Sequence, residues 1–291
     1  MSEFTAYKQL ILDNISHLTK NQKKIAQFLI DHPEEIAFSS IDNIADKLNV
    51  GKATIVRLAQ ALGYKGFLEL KTELSNKLRD NLNLAKKFKA ALDNEPLKTD
   101  FISTIANGEI ENIRATIAKL DRASFDKAVD ICITAPRIYT MGVGISKYLS
   151  QLTAYFIHRI TLKATSFTCG GFSLHEQILS VEKDDAIIAI SLAPYTLATI
   201  EAAEMAKSKG VKVISITDKL VAPIAEYSDV VFPVLTENIV FINTTSAILM
   251  LGCALATGIG LKDRKTSLKA LTSFQETKTE FGFDVHTDFF R

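Results

Sequence analysis

The sequence predicts an α-helical helix-turn-helix domain followed by an α/β domain, in which a parallel sheet of about five strands is sandwiched by helices. Three observations carry this. Two short capped helical patterns lie on either side of a tight turn within residues 39–70. Beyond Pro136 the hydrophobic period changes from helical to alternating strand and helix. The chain has 291 residues, more than the roughly 100–200 of a single domain. The boundaries that follow are 1–80 for the helical domain, 81–97 for a connector rich in Lys, Asn and Asp that holds Pro96, and 98–291 for the α/β domain.

In the helical part, Thr19 and Gln22 form a capping box that opens a helix with Ile25, Ala26, Leu29 and Ile30 inward, closed by His32-Pro33. Residues 40–48 place Ile41, Ile44, Ala45 and Leu48 at i, i+3, i+4 and i+7, behind a Ser39/Asp42 capping pair. Asn49-Val50-Gly51 turns the chain. A second helix then puts Ile55, Leu58, Ala59 and Leu62 inward and ends at Gly63. Phe67, Leu70, Lys71, Leu74 and Leu78 continue as a further helix.

Two helices joined by so short a turn have the layout of a helix-turn-helix. With Gly51 as the cap, Lys52 and Thr54 flank the first turn of the second helix, where backbone N–H groups and the helix dipole favour a DNA phosphate. Ala53, Val56, Arg57 and Gln60 are the candidates to reach base edges, with Lys65 beyond the helix end. Arg57 is equally explained as a solvated surface arginine. Residues 1–90 hold fourteen lysines and arginines against ten acids, while the remainder holds twenty against twenty-three. The basic excess therefore sits with the helix-turn-helix, and it is small enough that operator binding calls for two copies on half-sites roughly 34 Å apart.

Cys132, Cys169 and Cys253 lie far apart without metal-ligand spacing, which fits a reducing cytosol and predicts neither a metal site nor a cofactor. The amino terminus resembles neither a secretory signal nor a transit peptide. Residues 238–261 carry no charge, but two asparagines, several threonines and three glycines favour a strand end plus a buried helix over a membrane span. No membrane partner is expected.

In the second domain, residues 98–134 read as helical, with Phe101, Ile105, Ile113, Ile117 and Leu120 apolar and Ser124 capping a later helix. Strand-like runs at 137–141, 161–167, 186–191, 211–217 and 230–234 then alternate with helical runs at 145–159, 174–179, 196–209, 222–227 and from near Thr245. Such alternation with apolar strands means a parallel sheet covered on both faces. Ligands of such sheets bind at the carboxyl ends of the strands.

The first such loop is Gly142-Val143-Gly144-Ile145-Ser146, where glycines let the backbone approach a ligand and a helix start offers N–H donors. A dinucleotide site would want a third glycine where Lys147 stands and an acid about 20 residues on. No Asp or Glu occurs from Ile131 to His175. That stretch, with Arg137, Lys147, Arg159 and Lys163, argues for a small anion near the first loop, with chance composition as the alternative. The second loop, Ser191-Leu192-Ala193-Pro194-Tyr195-Thr196, supplies two hydroxyls, though an ordinary helix cap also explains Thr196.

Together these residues resemble the RpiR family of bacterial transcriptional regulators, in which a helix-turn-helix precedes a sugar isomerase (SIS) domain that senses sugar phosphates. The run Ala53-Thr54-Ile55-Val56-Arg57-Leu58-Ala59-Gln60-Ala61-Leu62-Gly63-Tyr64-Lys65-Gly66-Phe67 carries the first half of the likeness. The first loop, the strand ending at Ser191, Ile200-Glu201-Ala202-Ala203 and the runs 210–218 and 223–229 carry the second. The chain departs from that family at Gly51, where serine is usual. It departs again at Ala193 and Pro194, which remove one hydroxyl and one N–H from the second loop.

The resemblance implies Ser146, Ser191 and Thr196 as ligand contacts, with Glu237 a hydroxyl acceptor and Lys147 a charge partner; Gly142 and Gly144 join them as the loop's close-approach glycines, and Tyr195, beside the two departures, is expected to stack on a sugar ring or close the pocket instead. It implies a cytoplasmic, homodimeric or tetrameric regulator, such as a repressor of carbohydrate catabolism, whose partners are double-stranded operator DNA and a sugar phosphate or sugar-derived acid. The alternatives are a phosphosugar isomerase using Glu176, His175 or Glu237, and a regulator whose SIS domain only dimerises.

Overall fold

The computed structural model describes residues 10–31, 36, 40–81, 88–89, 92, 95–167, 171–237 and 244–280. They form two compact units: the residues up to Ile105 together with Val221–Pro223 make the first, and Ala106–Leu220, Ile224–Glu237 and the residues from Thr244 on make the second. The readings placed on His32-Pro33, Ser39 and Cys169 lie outside the described residues.

The first unit is helical. Helix α1 (Lys20–Asp31) opens on the expected box, with the Thr19 N–H donating to Gln22 at 2.9 Å and the Gln22 N–H donating back at 3.4 Å. Helix α2 (Ile41–Leu48) is capped by Ser40 and not by the Ser39/Asp42 pair; the Ser40 hydroxyl accepts from the Asn43 N–H at 3.1 Å. Starting one residue later leaves Asp42 in the first turn, where its carboxylate favours the helix dipole.

Asn49, at φ 47°, then turns the chain, and α3 (Lys52–Ala61) starts from Gly51 without a side-chain cap. It ends at Leu62, after which Gly63 takes φ 93°, and the Tyr64 N–H reaches back to the Ala59 carbonyl at 3.0 Å. Helix α4 (Phe67–Asn81) follows. Ile25, Leu29, Ile44, Ile55, Leu58, Leu70 and Leu74 are buried in one core. Alanine at Leu58 would leave a hole there worth about 2–5 kcal/mol.

A short helix, α5 (Glu95–Thr99), leads to α6 (Phe101–Lys119) and α7 (Arg122–Thr134). The cap of α7 is Asp121, three residues before the expected Ser124: its carboxylate accepts the Ser124 N–H at 2.9 Å and the Ser124 hydroxyl at 2.6 Å. Those two bonds hold the Asp121 carboxyl below the usual range.

The second unit's sheet has five parallel strands in the order β2-β1-β3-β4-β5: β1 (Ile138–Met141), β2 (Ala164–Ser166), β3 (Ala186–Ser191), β4 (Lys212–Thr217) and β5 (Val230–Pro233). Three α-helices alternate with the first four strands, α8 (Ile145–Thr161), α9 (Leu174–Ile178) and α10 (Leu197–Ser208); the expected helical run at 222–227 is a 3-10 turn, Pro223–Tyr227, between β4 and β5, and α11 (Ser246–Lys262) and α12 (Arg264–Glu280) follow β5. Thr161 ends α8 rather than beginning β2, because its hydroxyl bonds back to the Ile157 carbonyl at 2.8 Å.

Ile138, Ile188, Ile190, Ile214, Ile216 and Phe232 face a core completed by Val129, Leu149, Ile157, Ile248, Leu251 and Leu255 from α7, α8 and α11. Strand side chains alternate, so Ile187, Ala189, Val213 and Ser215 take the other face, where α10 packs on β3 and β4. No single described helix is long and apolar enough to cross a membrane. Much of the uncharged run 238–261 is α11, and its Ile248, Leu251, Leu255 and Ile259 are buried.

At the amino edge of the sheet, Asp229 ties β4 to β5. Its carboxylate accepts the Val213 N–H at 3.0 Å and pairs with Lys207 and Lys212 at 3.1 Å each. Burial pushes this carboxyl up, and the N–H and the two ammonium groups outweigh it, holding it below the usual range. A depressed folded-state pKa adds stability that is present above the unfolded value of about 3.9 and is lost as pH falls through the folded one. Asp229→Asn is therefore expected to flatten the loss of urea stability below about pH 4; an unchanged acid slope contradicts the assignment.

Candidate functional site

Two candidate sites follow from the sequence, one in each unit. In the first, α3 buries Ile55, Leu58 and Ala59 and turns Ala53, Arg57 and Gln60 outward, all three exposed. Thr54 is half-buried, and Val56 packs partly against the helical core, which limits its reach to bases. Lys52 forms an ion pair with Asp42 across the turn; that hydrogen-bonded partner raises its pKa. An exposed pair of this kind contributes little, so a phosphate can replace Asp42. Lys65 is exposed, and its N–H is held by the Glu69 carboxylate, with Glu73 on the same cleft.

A second cleft, of about 300 Å³, joins Arg57 and Thr54 to Thr19, Lys20, Asn21 and Gln22 at the start of α1. Inspecting the helix pair alone misses Lys20 and Asn21. The capping box at Thr19 was the available signal, since it fixes where α1 presents its amino end.

Other cations of this unit do structural work. Lys24 donates to the Leu48 carbonyl at 2.7 Å at the end of α2, Lys47 lies 5.6 Å over the Phe28 ring, and burial pushes the Lys71 pKa down. Tyr64, pushed up to about 12 by burial with help from Glu73, is a core residue too.

The second site lies at the carboxyl edge of the sheet. The strand after β1 in sequence lies on one side of it and β3 on the other, so the β1/β3 boundary is a topological switch point, the place where ligands of such sheets bind. Both predicted loops flank this boundary: β1 runs into Gly142, and β3 runs past the Met141–Ala189 register pair to Ser191.

Gly142 is buried, and a Cβ there would sit 2.6 Å from the Ser146 carbonyl oxygen, so α8 docks on the strand end closer than any side chain allows. Gly144, at φ 64°, caps α8 without a side-chain bond, leaving the Ile145 and Ser146 N–H groups without helical partners. Ser146 is buried and Lys147 half-buried in this first turn. A hydroxyl network braces it from beneath. Thr140 donates to the Ser150 carbonyl at 2.8 Å, Ser150 donates to the Lys147 carbonyl at 2.7 Å, and the Ser150 and Ser166 hydroxyls meet at 3.1 Å.

In the second loop, Ser191 is 3% exposed, and its hydroxyl has no hydrogen-bond partner among the described residues. Thr196 caps α10 by position only, with no side-chain bond, and stays half-buried. Tyr195 is 5% exposed and donates its hydroxyl to Asp218 Oδ1 at 2.8 Å. It is packed into the fold, not open to stack on a sugar. Glu237 follows β5; its backbone carbonyl accepts from Asn112 at 2.7 Å, while the residue itself is exposed.

Asp218 escaped the sequence reading, although the same carboxyl-end rule that selected the first two loops applies to β4. The acid-free stretch needs correction as well. Arg137 pairs with buried Asp185 at 2.9 Å where β1 begins, and Lys163 donates to the Ile133 and Ala135 carbonyls at 2.8 and 2.6 Å. Arg159 donates to the Tyr155 hydroxyl at 3.1 Å and lies 5.2 Å over the Phe274 ring. Only Lys147, of those four, lies in the first loop's helix turn. The acid and base candidates are also engaged: Glu176 is held by the Ser173 N–H and hydroxyl below its usual range, and His175 meets Glu201 at 2.9 Å.

Comparison with known proteins matches residues 5–81 to the rpiR-family helix-turn-helix domain and residues 132–258 to the SIS domain. A Haemophilus influenzae protein described as an uncharacterized HTH-type transcriptional regulator is 31% identical over 220 residues, 74% of each chain. The HTH-type transcriptional regulator HexR of Pseudomonas aeruginosa is 25% identical across 87% of this chain and 88% of its own length. Among solved structures, Vibrio vulnificus NanR complexed with ManNAc-6P superposes with a TM-score of 0.65 at 20% identity, covering 94% of this chain and 98% of that one. The sugar isomerase domain of an RpiR transcription factor from Sphaerobacter thermophilus gives 0.57 at 21%, covering 60% of this chain and 97% of that one. Both likenesses confirm the fold.

Gly142→Ala forces the first turn of α8 off the strand end. It is expected to cost about 1–3 kcal/mol of unfolding free energy, read from the urea midpoint; a midpoint equal to the parent's contradicts the close docking.

Proposed function

We propose, from the premise that this chain belongs to the RpiR family of helix-turn-helix transcriptional regulators with a SIS domain, that it reads an operator through α3 and loses or gains affinity when a sugar-derived anion enters the switch point. The observation that carries the DNA reading is the two-faced α3, with Leu58 buried and Arg57 and Gln60 presented on an open surface. Ala53, Arg57 and Gln60 face the bases. Lys52, Thr54 and Lys65 hold phosphates, and Lys20 is added to them through the shared cleft.

In the second unit, Gly142, Gly144, Ser146, Lys147, Ser191 and Thr196 take the effector. Tyr195 acts from behind through Asp218, and Glu237 faces solvent beyond β5. Vibrio vulnificus NanR, of the same fold, is described in complex with ManNAc-6P, and a phosphorylated sugar is the ligand class that suits these donors. We assign no turnover to the site, since the loops bring hydroxyls and N–H groups and the nearby Glu176 and His175 are occupied. The coupling between effector and DNA is expected to be about 1–3 kcal/mol. A cytoplasmic location follows from this role.

The chain acts as a homodimer. Ile145, Tyr148, Leu152 and Tyr155 recur at helical spacing along the outer side of α8 and are 51, 63, 37 and 54% exposed, an apolar row that a second copy would cover. Leu152→Glu is expected to convert the dimer to monomer in sedimentation velocity; a monomeric parent or a dimeric variant contradicts this face.

For DNA binding, anisotropy titrations on the region upstream of its own gene provide the test. Arg57→Ala is expected to cost about 1–3 kcal/mol and to relax specificity at one position, whereas Lys20→Ala weakens all sequences alike. A parent that binds random duplex as well as that region, with and without sugar phosphates, contradicts the reading.

A further inference from the structure

We propose that α8 pairs with α8 of a second copy in antiparallel register, about a two-fold axis between Leu152 and Tyr155, so that Arg159 of each copy lies on Tyr148 of the other. This inference rests on the homodimer reading above and adds to it the direction and register of the contact.

Spacing on the outer side of α8 suits a second helix. Ile145, Tyr148, Leu152, Tyr155, Arg159 and the cap residue Leu162 follow one another at intervals of 3, 4, 3, 4 and 3 residues. Leu162 is 47% exposed and Arg159 half-buried. The opposite side of the helix, with Leu149, Thr153, Ala154 and Ile157, is buried, where α8 packs on the sheet, α11 and α12. The outer row is a heptad seam, with about 3.5 residues per turn. Such a seam drifts about 20° per seven residues on a straight helix, so it stays on a neighbouring helix only if the two cross at about 20°, with axes roughly 8–10 Å apart. An isolated patch of exposed side chains has no need of that spacing along a whole helix.

Charge then selects the direction. Parallel pairing sets every residue of the row against its own copy, and so Arg159 against Arg159. That guanidinium is the only charge in the row, its Nε is buried without a hydrogen-bond partner among the described residues, and α8 has no Asp or Glu to offset two of them. Burying two such cations together is costly. Antiparallel pairing instead matches Ile145 with Leu162, Tyr148 with Arg159 and Leu152 with Tyr155, each match occurring twice. Arg159 already lies 5.9 Å over the Tyr155 ring and 5.2 Å over the Phe274 ring of its own chain. Tyr148, 63% exposed, already takes Lys147 at 5.8 Å from its ring centre and gives Arg159 of the second copy a third aromatic surface. The two helix dipoles then run in opposite directions, amino end beside carboxyl end.

In the antiparallel pair the two Ile145 residues stand about 25 Å apart along the axis, whereas Ile145 and Leu162 of opposite copies are neighbours. Parallel pairing reverses this. In the full chain carrying Cys169→Ser and Cys253→Ser, a short bismaleimide is therefore expected to link the Ile145→Cys/Leu162→Cys double variant into a covalent dimer, and neither single variant. Linking of the Ile145→Cys single variant overturns the inference, as does a double variant that sediments as a dimer and stays unlinked. Where the cysteine variants do not dimerise, charge decides. Tyr148→Glu sets a carboxylate against Arg159 and is expected to dimerise about tenfold or more tightly than Tyr148→Lys, whereas parallel pairing sets like against like in both. Equal dissociation constants for the two overturn the inference. A monomeric parent overturns the homodimer reading with it, while linking in the parallel pattern overturns the register alone.

Discussion

The pairing of β1 with β3 is the contact on which the second unit depends. Ile138 to Met141 lie against Ala186 to Ala189 in parallel register, although β2 and two helical segments separate them in sequence. Because the chain leaves β1 toward one edge of the sheet and leaves β3 toward the other, the helices that follow cannot close over the boundary. The switch point is a product of connectivity, and the two loops flank it. Gly142 then sets how near α8 comes to it, and Thr140, Ser150 and Ser166 keep its first turn there.

Several charges among the described residues hold secondary structure in place. Lys24, Lys163 and Lys209 each donate to carbonyls at a helix end, completing groups that the helix itself leaves open. Arg137 offsets the buried Asp185, and Asp229 gathers Lys207 and Lys212. Net charge by segment therefore overstates what remains to attract a polyanion. In the helical unit, the cations left on open surface around α3 are few, which is why a symmetric pair of units makes physical sense.

Much of the architecture was legible because it rests on periodicity. All five strands and the helices between them fall within a few residues of where apolar alternation put them, and the turn at Asn49 to Gly51 was visible from its residue types. The cap of α7 at Asp121 and the cap of α2 at Ser40 were misread by a few residues, since Ser and Asp neighbours offer rival caps and only backbone geometry chooses. In the last part of the family-like run, Leu62 to Phe67, every second residue or so turns inward: Leu62, Tyr64 and Phe67 are buried, while Gly63 and Lys65 are exposed. A motif can thus identify a fold partly through its packing. The fates of Arg137, Arg159 and Lys163 were not legible, because their partners come from distant segments. Asp218 was missed for a different reason, as the strand-end rule was applied to two loops and not carried to the third.

Helix α8 runs seventeen residues, a rod of about 25 Å. Its amino end flanks the switch point, and its outer side carries Tyr148, Leu152 and Tyr155. A rod tilts as one body, so whatever fixes Ser146 also fixes the pitch of the ridge that starts within one turn of it.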